Sequence, residues 1–291
     1  MSKVVIAGCG FVGLATARLF ANAGWEVFGI THSPDSALLL GGEKFPVIAC
    51  DITDRAALAA RGELRGAETV IHCASSGRGG VEQYRSVYLG GARTLAEVLA
   101  PQTLLFTSST SVYAQTGGEW VTESSAAEPD RATGCVLRET EESVLALGGV
   151  VARLAGIYGP GRSVLLRKFF SGEAVIEGDG AKWINQVHRD DIATAIVHLV
   201  TSNARGIFNV NDDEPLAQRV VYEWLARRFA RPLPPTGPID TNRKRGWTNK
   251  RVSNAKLRAT GWRAQYPSFF AAVENDPALP GSAAVQTTSS I

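Results

Sequence analysis

Two stretches of this chain hold residue types that could do chemistry. The first is "GCGFVG", where Gly8, Gly10 and Gly13 stand at G-x-G-x-x-G spacing. Glycines so spaced let the backbone turn tightly, come close to a phosphate and run into a helix that packs on its own strand. The start of that helix would offer N–H groups and a positive partial charge, so Gly8, Gly10, Phe11, Val12 and Gly13 form a candidate pyrophosphate cradle. The second stretch is "TSSTSVYA", residues 107–114, which ends on Tyr113. Its run of hydroxyls could serve at the mouth of a site. It could equally satisfy the backbone where a strand stops.

What must position these groups is an alternation of strands and helices. "KVVIAG" is a β-branched apolar run of the kind buried on both faces of a parallel sheet. Val12, Ala15, Leu19 and Ala23 follow at helical spacing, and "WEVFGI" makes a second strand. "FPVIAC", "ETVIHCA", "QTLLFTSS" and "GVVARLAG" predict four more strands, with helices over about 81–99 and 134–147 and a polar loop over 115–132. Strand–helix alternation predicts an α/β fold, a doubly wound parallel sheet of the Rossmann type, with ligands beyond the carboxyl ends of the strands. The strand exits at Asp51–Ile52, Ala74–Ser75 and Ser108–Ser109 then face one crevice with the glycine loop. An acid at the end of the second strand would accept the ribose 2′-hydroxyl of NAD. Thr31, His32 and Ser33 stand there instead, which tilts the expected cofactor from NAD toward NADP, although no arginine is present to pair with a 2′-phosphate.

After 155 the rhythm changes. "GIYGPGR" is turn-rich, and "INQVHRDDIATAIVHLV" runs into a helix with Asp190 or Asp191 as its cap. The expected organisation is a dinucleotide-binding domain over 1–155 and 185–211, and a smaller substrate lobe over 156–184 and 212–276. The end, 277–291, is small, polar and aperiodic and reads as a disordered tail. With 45% hydrophobic residues, 20% charged residues and a net charge of +2, the chain carries no footprint for nucleic acid or an anionic membrane. No window approaches the roughly 20 apolar residues of a membrane span. Cys9, Cys50, Cys73 and Cys135 are widely spaced without a CxxC pair, which argues against disulfides and a metal cage and for a reducing cytoplasm.

The segments "GCGFVGLATA", "DITD", "HCAS", "FTSSTSVYA", "RLAGIYGPGR", "NQVHRDDIATAI", "GIFNV" and "NKRVSNAKLRATGW" follow one another in order. In this they resemble the short-chain dehydrogenase/reductase superfamily, in its extended, epimerase/dehydratase-like branch. The resemblance implies NAD or NADP, hydride transfer at a carbon bearing oxygen, and a small hydroxyl or carbonyl substrate, a nucleotide sugar being one possibility. It also implies that Ser109, matched on "SVY", hydrogen-bonds the reacting oxygen. The family's tyrosine and the lysine four residues on would then move the proton. Here the chain departs from the pattern, with no tyrosine between 114 and 157 and no lysine between 45 and 167. Gly134 stands where the tyrosine should be and Arg138 where the lysine should be. Arg138 could hold a ribose hydroxyl but cannot shuttle protons, since it does not deprotonate. The arginine that grips a substrate diphosphate is matched by Ile184, with Lys182 as a substitute nearby.

Tyr113 is then the first candidate for a replacement acid, set against a packing role for its ring. Tyr158, Asn185 and His188 are candidate substrate contacts, and His188 also fits a structural, hydrogen-bonded histidine. Glu123 is a possible loop acid, Cys135 reads as a buried, inert thiol, and the basic run 243–251 reads as a solvated face. Two functions follow. One is an NAD(P)-dependent oxidoreductase or epimerase-like enzyme, a monomer or homodimer, using Ser109 and a non-standard acid. The other is a dinucleotide-binding protein that senses or is held by NAD(P) without turning it over.

Overall fold

The computed structural model describes residues 2–77, 79–241 and 247–279. Seven strands make the central sheet: β1 (Lys3–Ala7), β2 (Glu26–Thr31), β3 (Val47–Ala49), β4 (Thr69–His72), β5 (Thr103–Ser109), β6 (Val150–Leu154) and β7 (Gly206–Val210). Their spatial order is β7-β6-β5-β4-β1-β2-β3. The β1–β2, β1–β4, β2–β3 and β4–β5 pairs all run parallel. The order reverses beside β1, whose carboxyl end opens on the glycine loop, so the expected doubly wound sheet is the one that forms. The β-branched run explains the centre of this sheet. Val4, Val5, Ile6 and Ala7 are wholly buried, which requires helices on both faces.

The chain divides into two compact units. Unit 1, Met1–Val112, Ala127–Arg153 and Ile192–Phe208, carries the sheet and its helices. Unit 2 is Tyr113–Ala126, Leu154–Asp191 and Asn209–Ile291. Residues 113–126 and 185–191, grouped with the sheet domain from sequence, fall in unit 2 because each pairs there. Trp120–Val121 runs beside Arg251–Val252, and Gln186–His188 beside Gly156–Tyr158. Unit 2 buries its own apolar cluster, built on Tyr158, Phe169, Ile176, Val221, Leu225 and Phe269. Of the expected tail, residues 280–291 lie outside the described residues, whereas Leu279 is buried in that cluster.

Two local features differ from the periodic reading. The helix expected over 81–99 is α-helical at Val81–Tyr84, a π-helix at Arg85–Gly90 and α-helical again at Gly91–Leu99. The buried ring of His72 explains the switch: its Nε2–H donates to Val87 O at 3.0 Å and to Tyr88 O at 3.3 Å, which occupies carbonyls within the wide turn. Gly91 permits the approach, since a Cβ there would lie 2.8 Å from Ile52 Cδ1. The second difference is at Asp190 and Asp191. Both sit in the first turn of the helix Arg189–Thr201 rather than before it. Asp191 instead accepts from Gln265 N at 2.6 Å and Tyr266 N at 3.0 Å.

Candidate functional site

Helix α1 (Phe11–Asn22) begins directly after the glycines, with Gly10 as its N-cap residue and no side chain capping it. Its first internal bond is Leu14 N to Gly10 O at 2.8 Å, so the amides of Val12 and Gly13 have no helical acceptor. Gly8 has φ +96°, and a Cβ on it would lie 2.3 Å from Ala74 N, so the loop presses on the chain leaving β4. A Cβ on Gly13 would lie 2.2 Å from Gly8 O. Gly10 differs: a Cβ there would meet nothing within 4 Å. The open side of the loop is therefore at Gly10, beside an uncapped helix start. This is the space and charge a pyrophosphate requires.

A cavity of about 480 Å³ continues from Gly8 along the carboxyl ends of β1 to β4. Thr31 and His32 line it from the end of β2, Cys50, Asp51, Ile52 and Thr53 from beyond β3, and Ala74, Ser75, Ser76 and Gly77 from beyond β4. Gln83, Ser86 and Val87 close one wall, the last two from the π-helix. Asp51 is the carboxylate of the wall, and its Oδ1 accepts from Thr53 N at 2.9 Å and Thr53 Oγ1 at 2.8 Å. Burial pushes the Cys50 thiol up, so the sulfur on this wall is neutral at pH 7. Ser33 is not among the lining residues. It caps helix α2 (Pro34–Leu39) by accepting from Ser36 N at 3.3 Å. The cavity thus gathers seven of the expected cofactor residues: Gly8, Thr31, His32, Asp51, Ile52, Ala74 and Ser75.

The hydroxyl stretch divides residue by residue. Thr107 Oγ1 donates to His72 O at 3.1 Å, tying β5 to β4. Ser108 is buried and its hydroxyl donates to Glu141 Oε1 at 2.6 Å. Ser109, at the end of β5, accepts from Ser111 N at 3.2 Å in the turn that follows. Glu141 is fully buried and also takes two bonds from Arg153, 3.0 Å from Nε and 2.7 Å from Nη2. Arg138 completes the group by donating to Glu141 and Glu142. The residue in the lysine position therefore serves a buried carboxylate. Gly134 fills the tyrosine position because Pro129 packs there, and a Cβ would lie 2.5 Å from Pro129 Cβ. Cys135 corrects the sequence reading: it is exposed, with Sγ donating to Pro129 O at 3.4 Å. The signal that could have found Glu141 is Arg153, a charge inside an apolar strand, which demands a buried partner.

The remaining candidates belong to unit 2. Tyr113 is completely buried and its hydroxyl donates to Asn209 Oδ1 at 2.9 Å. Glu123, the possible loop acid, accepts from Asn209 N at 2.8 Å. Tyr158 is also buried, and its hydroxyl meets no hydrogen-bond partner among the described residues. Burial and the surrounding carboxylates, Asp212 first, hold its phenol protonated. His188 is buried edge-on to Tyr158, with Nε2 at 3.2 Å from Asp276 Oδ2 and Nδ1 accepting from Asp190 N at 3.2 Å. That pattern fixes a neutral ring with its proton on Nε2, and burial depresses its basicity accordingly. Asn185 joins two segments, donating to Lys250 O at 2.9 Å and accepting from Val252 N at 2.7 Å.

Sheet order, glycine loop and cavity together define a Rossmann-type α/β protein. The family model described as NAD dependent epimerase/dehydratase matches residues 4–211, and the chain belongs to that family. It is 30% identical over 283 residues to Protein YeeZ of Escherichia coli (strain K12), covering 92% of this chain and 97% of the relative. It is 31% identical over 137 residues to a 3-diazoavenalumate denitrifying reductase of Streptomyces sp, 42% of this chain and 45% of that one. A solved structure of a proposed NAD-dependent epimerase/dehydratase from Methylobacillus flagellatus superimposes with a TM-score of 0.77 at 29% identity, covering 97% of this chain and 98% of the other. Among the described residues no helix is long and apolar enough to cross a membrane.

Proposed function

We propose that the chain is an NAD(P)-dependent oxidoreductase or epimerase-like enzyme acting on a small hydroxyl or carbonyl substrate, with NADP preferred to NAD. The observation that carries this reading is the cavity running from the glycine loop past Thr31 and His32. Gly10 and the start of α1 hold the pyrophosphate, and Asp51 and Ile52 border the adenosine end. At the β2 exit, where an acid would repel a 2′-phosphate, stand a threonine, whose hydroxyl donates to Ser33 O at 3.3 Å, and a histidine able to donate a hydrogen bond. The bound cofactor supplies the hydride. Ser109, at the carboxyl end of β5, orients the reacting oxygen. A relative named as a reductase supports hydride transfer as the chemistry.

The test is calorimetric titration of the full chain with NAD, NADP and their reduced forms, on wild type and His32→Ala. NADP should bind more tightly than NAD, and the variant should lose most of that difference while keeping NAD affinity. Binding of none of the four would overturn the reading, and a preference for NAD would remove the NADP assignment.

A second reading draws on a separate observation. The hydroxyl of Tyr113 is committed to Asn209, Gly134 is packed against Pro129, and Arg138 is paired with Glu141. A chain that binds the dinucleotide to sense or be held by it needs none of the three groups. Turnover of any alcohol, ketone or sugar that disappears in Ser109→Ala decides for the enzyme.

A further inference from the structure

Unit 2 holds a group of buried oxygen atoms that the cofactor reading does not use. Three of its segments lie side by side. Ala155 N donates to Val210 O at 3.1 Å, Gly156 N to Asn185 O at 3.0 Å and Asp212 N to Gln186 O at 2.8 Å. The ladder between Gly156–Tyr158 and Gln186–His188 sets Gly156 opposite Gln186 and Tyr158 opposite His188, so Gln186, His188 and Tyr158 share one face. Three side-chain oxygens here meet no hydrogen-bond partner among the described residues: Tyr158 Oη, Gln186 Oε1 and Asp212 Oδ1. Their residues are 0%, 9% and 2% exposed. Burial raises the Tyr158 phenol, and Asp212 is the foremost charge acting on it, which sets that carboxylate beside the hydroxyl. The neighbouring acids have named partners. Asp191 accepts from Gln265 N and Tyr266 N, Asp276 faces Nε2 of His188, Asp190 lies against Arg189, and Asp213 is 3.7 Å from Arg258. Asp212 accepts from the backbone N–H of Glu214, and the charges that act on it, Asp213, Glu214 and Asp191, are all acids. Burial first, then these acids, pushes its carboxyl well above the usual carboxylate range. A buried carboxyl group and two buried oxygens without partners are costly unless a positive charge joins them.

We propose that Asp212 Oδ1, Tyr158 Oη and Gln186 Oε1 bind an alkali metal ion, potassium or sodium. Hard oxygens of this kind, amide carbonyls among them, replace the hydration shell of such an ion. The charge count selects a monovalent ion. One carboxylate balances one positive charge, and no group of three or more His, Cys, Asp or Glu residues able to hold a metal occurs among the described residues. The ion enters as the carboxyl proton of Asp212 leaves to solvent, so the net charge of the site is unchanged. The site is independent of the dinucleotide reading. The experiment is urea unfolding of the full chain at pH 7, with potassium or sodium chloride replacing tetramethylammonium chloride at constant ionic strength. Wild type should gain stability from at least one of the two metal ions. Its folded-to-unfolded ratio should rise about tenfold for each tenfold rise in that ion beyond its dissociation constant. Asp212→Asn removes the charge, and Tyr158→Phe removes one oxygen while keeping the packed ring. Each should weaken the apparent ion affinity at least tenfold. Calorimetric titration of the unaltered chain with the same salts, in Tris and in HEPES, should show release of about one proton per ion bound. A stability that does not depend on which cation is present overturns the proposal and leaves water as the partner of these oxygens. An ion response that persists in both variants, or ion binding without proton release, overturns it too.

Discussion

At the scale of single residues, Tyr113 separates the two functional readings. Its hydroxyl reaches Asn209 Oδ1, so Tyr113→Phe leaves a buried amide oxygen short of a donor. The expected cost is about 1–3 kcal/mol in urea unfolding, with NADP affinity unchanged. Loss of turnover without that loss of stability would instead mark Tyr113 as the acid. Asp191 offers a pH-dependent prediction. Burial pushes its carboxyl up to about 6, despite the two backbone N–H groups it accepts. Its folded-state value exceeds the unfolded one of about 4, so the folded chain keeps a proton that the unfolded chain has released. Stability from this group is present below about pH 4 and is lost as pH rises through 6. Asp191→Asn should flatten that slope in urea midpoints taken from pH 4 to 7. The glycines and strand exits were legible as residues because their spacing states their geometry. The work of Asp191 was not, because its donors come from a segment some 75 positions away.

At the scale of elements, the helix Ala132–Ala146, β5 and β6 meet at one buried carboxylate. Glu141→Gln would leave Arg153, which is 1% exposed, without its counter-charge, and should cost about 3–5 kcal/mol in denaturant unfolding. Arg138→Ala removes a partner that is one-quarter exposed, so its effect should be well below that. If the two variants cost the same, the carboxylate is not held chiefly by Arg153. The sequence placed the helix and both strands, since their apolar periods are intact. It also flagged Gly134 and Arg138 as departures from a pattern. What it did not reveal is why they depart: the packing of Pro129 on Gly134 and the pull of Glu141 on Arg138 exist only in three dimensions. His72 adds a second pH response. Burial holds its ring down to about 4, so it stays neutral while the unfolded chain takes up a proton near 6.5. Its contribution is present above pH 6.5 and fades as pH falls toward 4, a slope that His72→Gln should remove.

At the scale of the whole molecule, NADP at one hundred times its dissociation constant should stabilise the chain by about 2.7 kcal/mol. Hydrogen exchange should slow at Gly8–Gly13, Thr31–His32, Asp51–Thr53 and Ala74–Gly77, the stretches of the glycine loop and cavity. Protection spread evenly over the chain, or absent from these four stretches, would place the ligand elsewhere. The sheet was legible at this scale because parallel strands buried on both faces are written as continuous apolar runs. Unit 2 was not, because its ladders are two or three residues long, as at Trp120–Val121 and Gln186–His188. A ladder that short has no period to detect. Of the basic run 243–251, residues 243–246 lie outside the described residues, while Lys250, within it, proves to be buried rather than solvated.

The wide turn at Arg85–Gly90 bears on how this chain can change in length. A π turn closes over one residue more than an α turn. Removing a residue there would let the bonds reset to α-helical ones and would leave Val81–Tyr84 close to its present phase relative to Gly91–Leu99, because the extra residue is what the wide turn absorbs. His72 would lose the carbonyls of the wide turn that hold its ring. The cost of a one-residue deletion at this turn therefore falls on a buried histidine, whereas the same deletion within Gly91–Leu99 would turn one part of the helix by about 100° against the other.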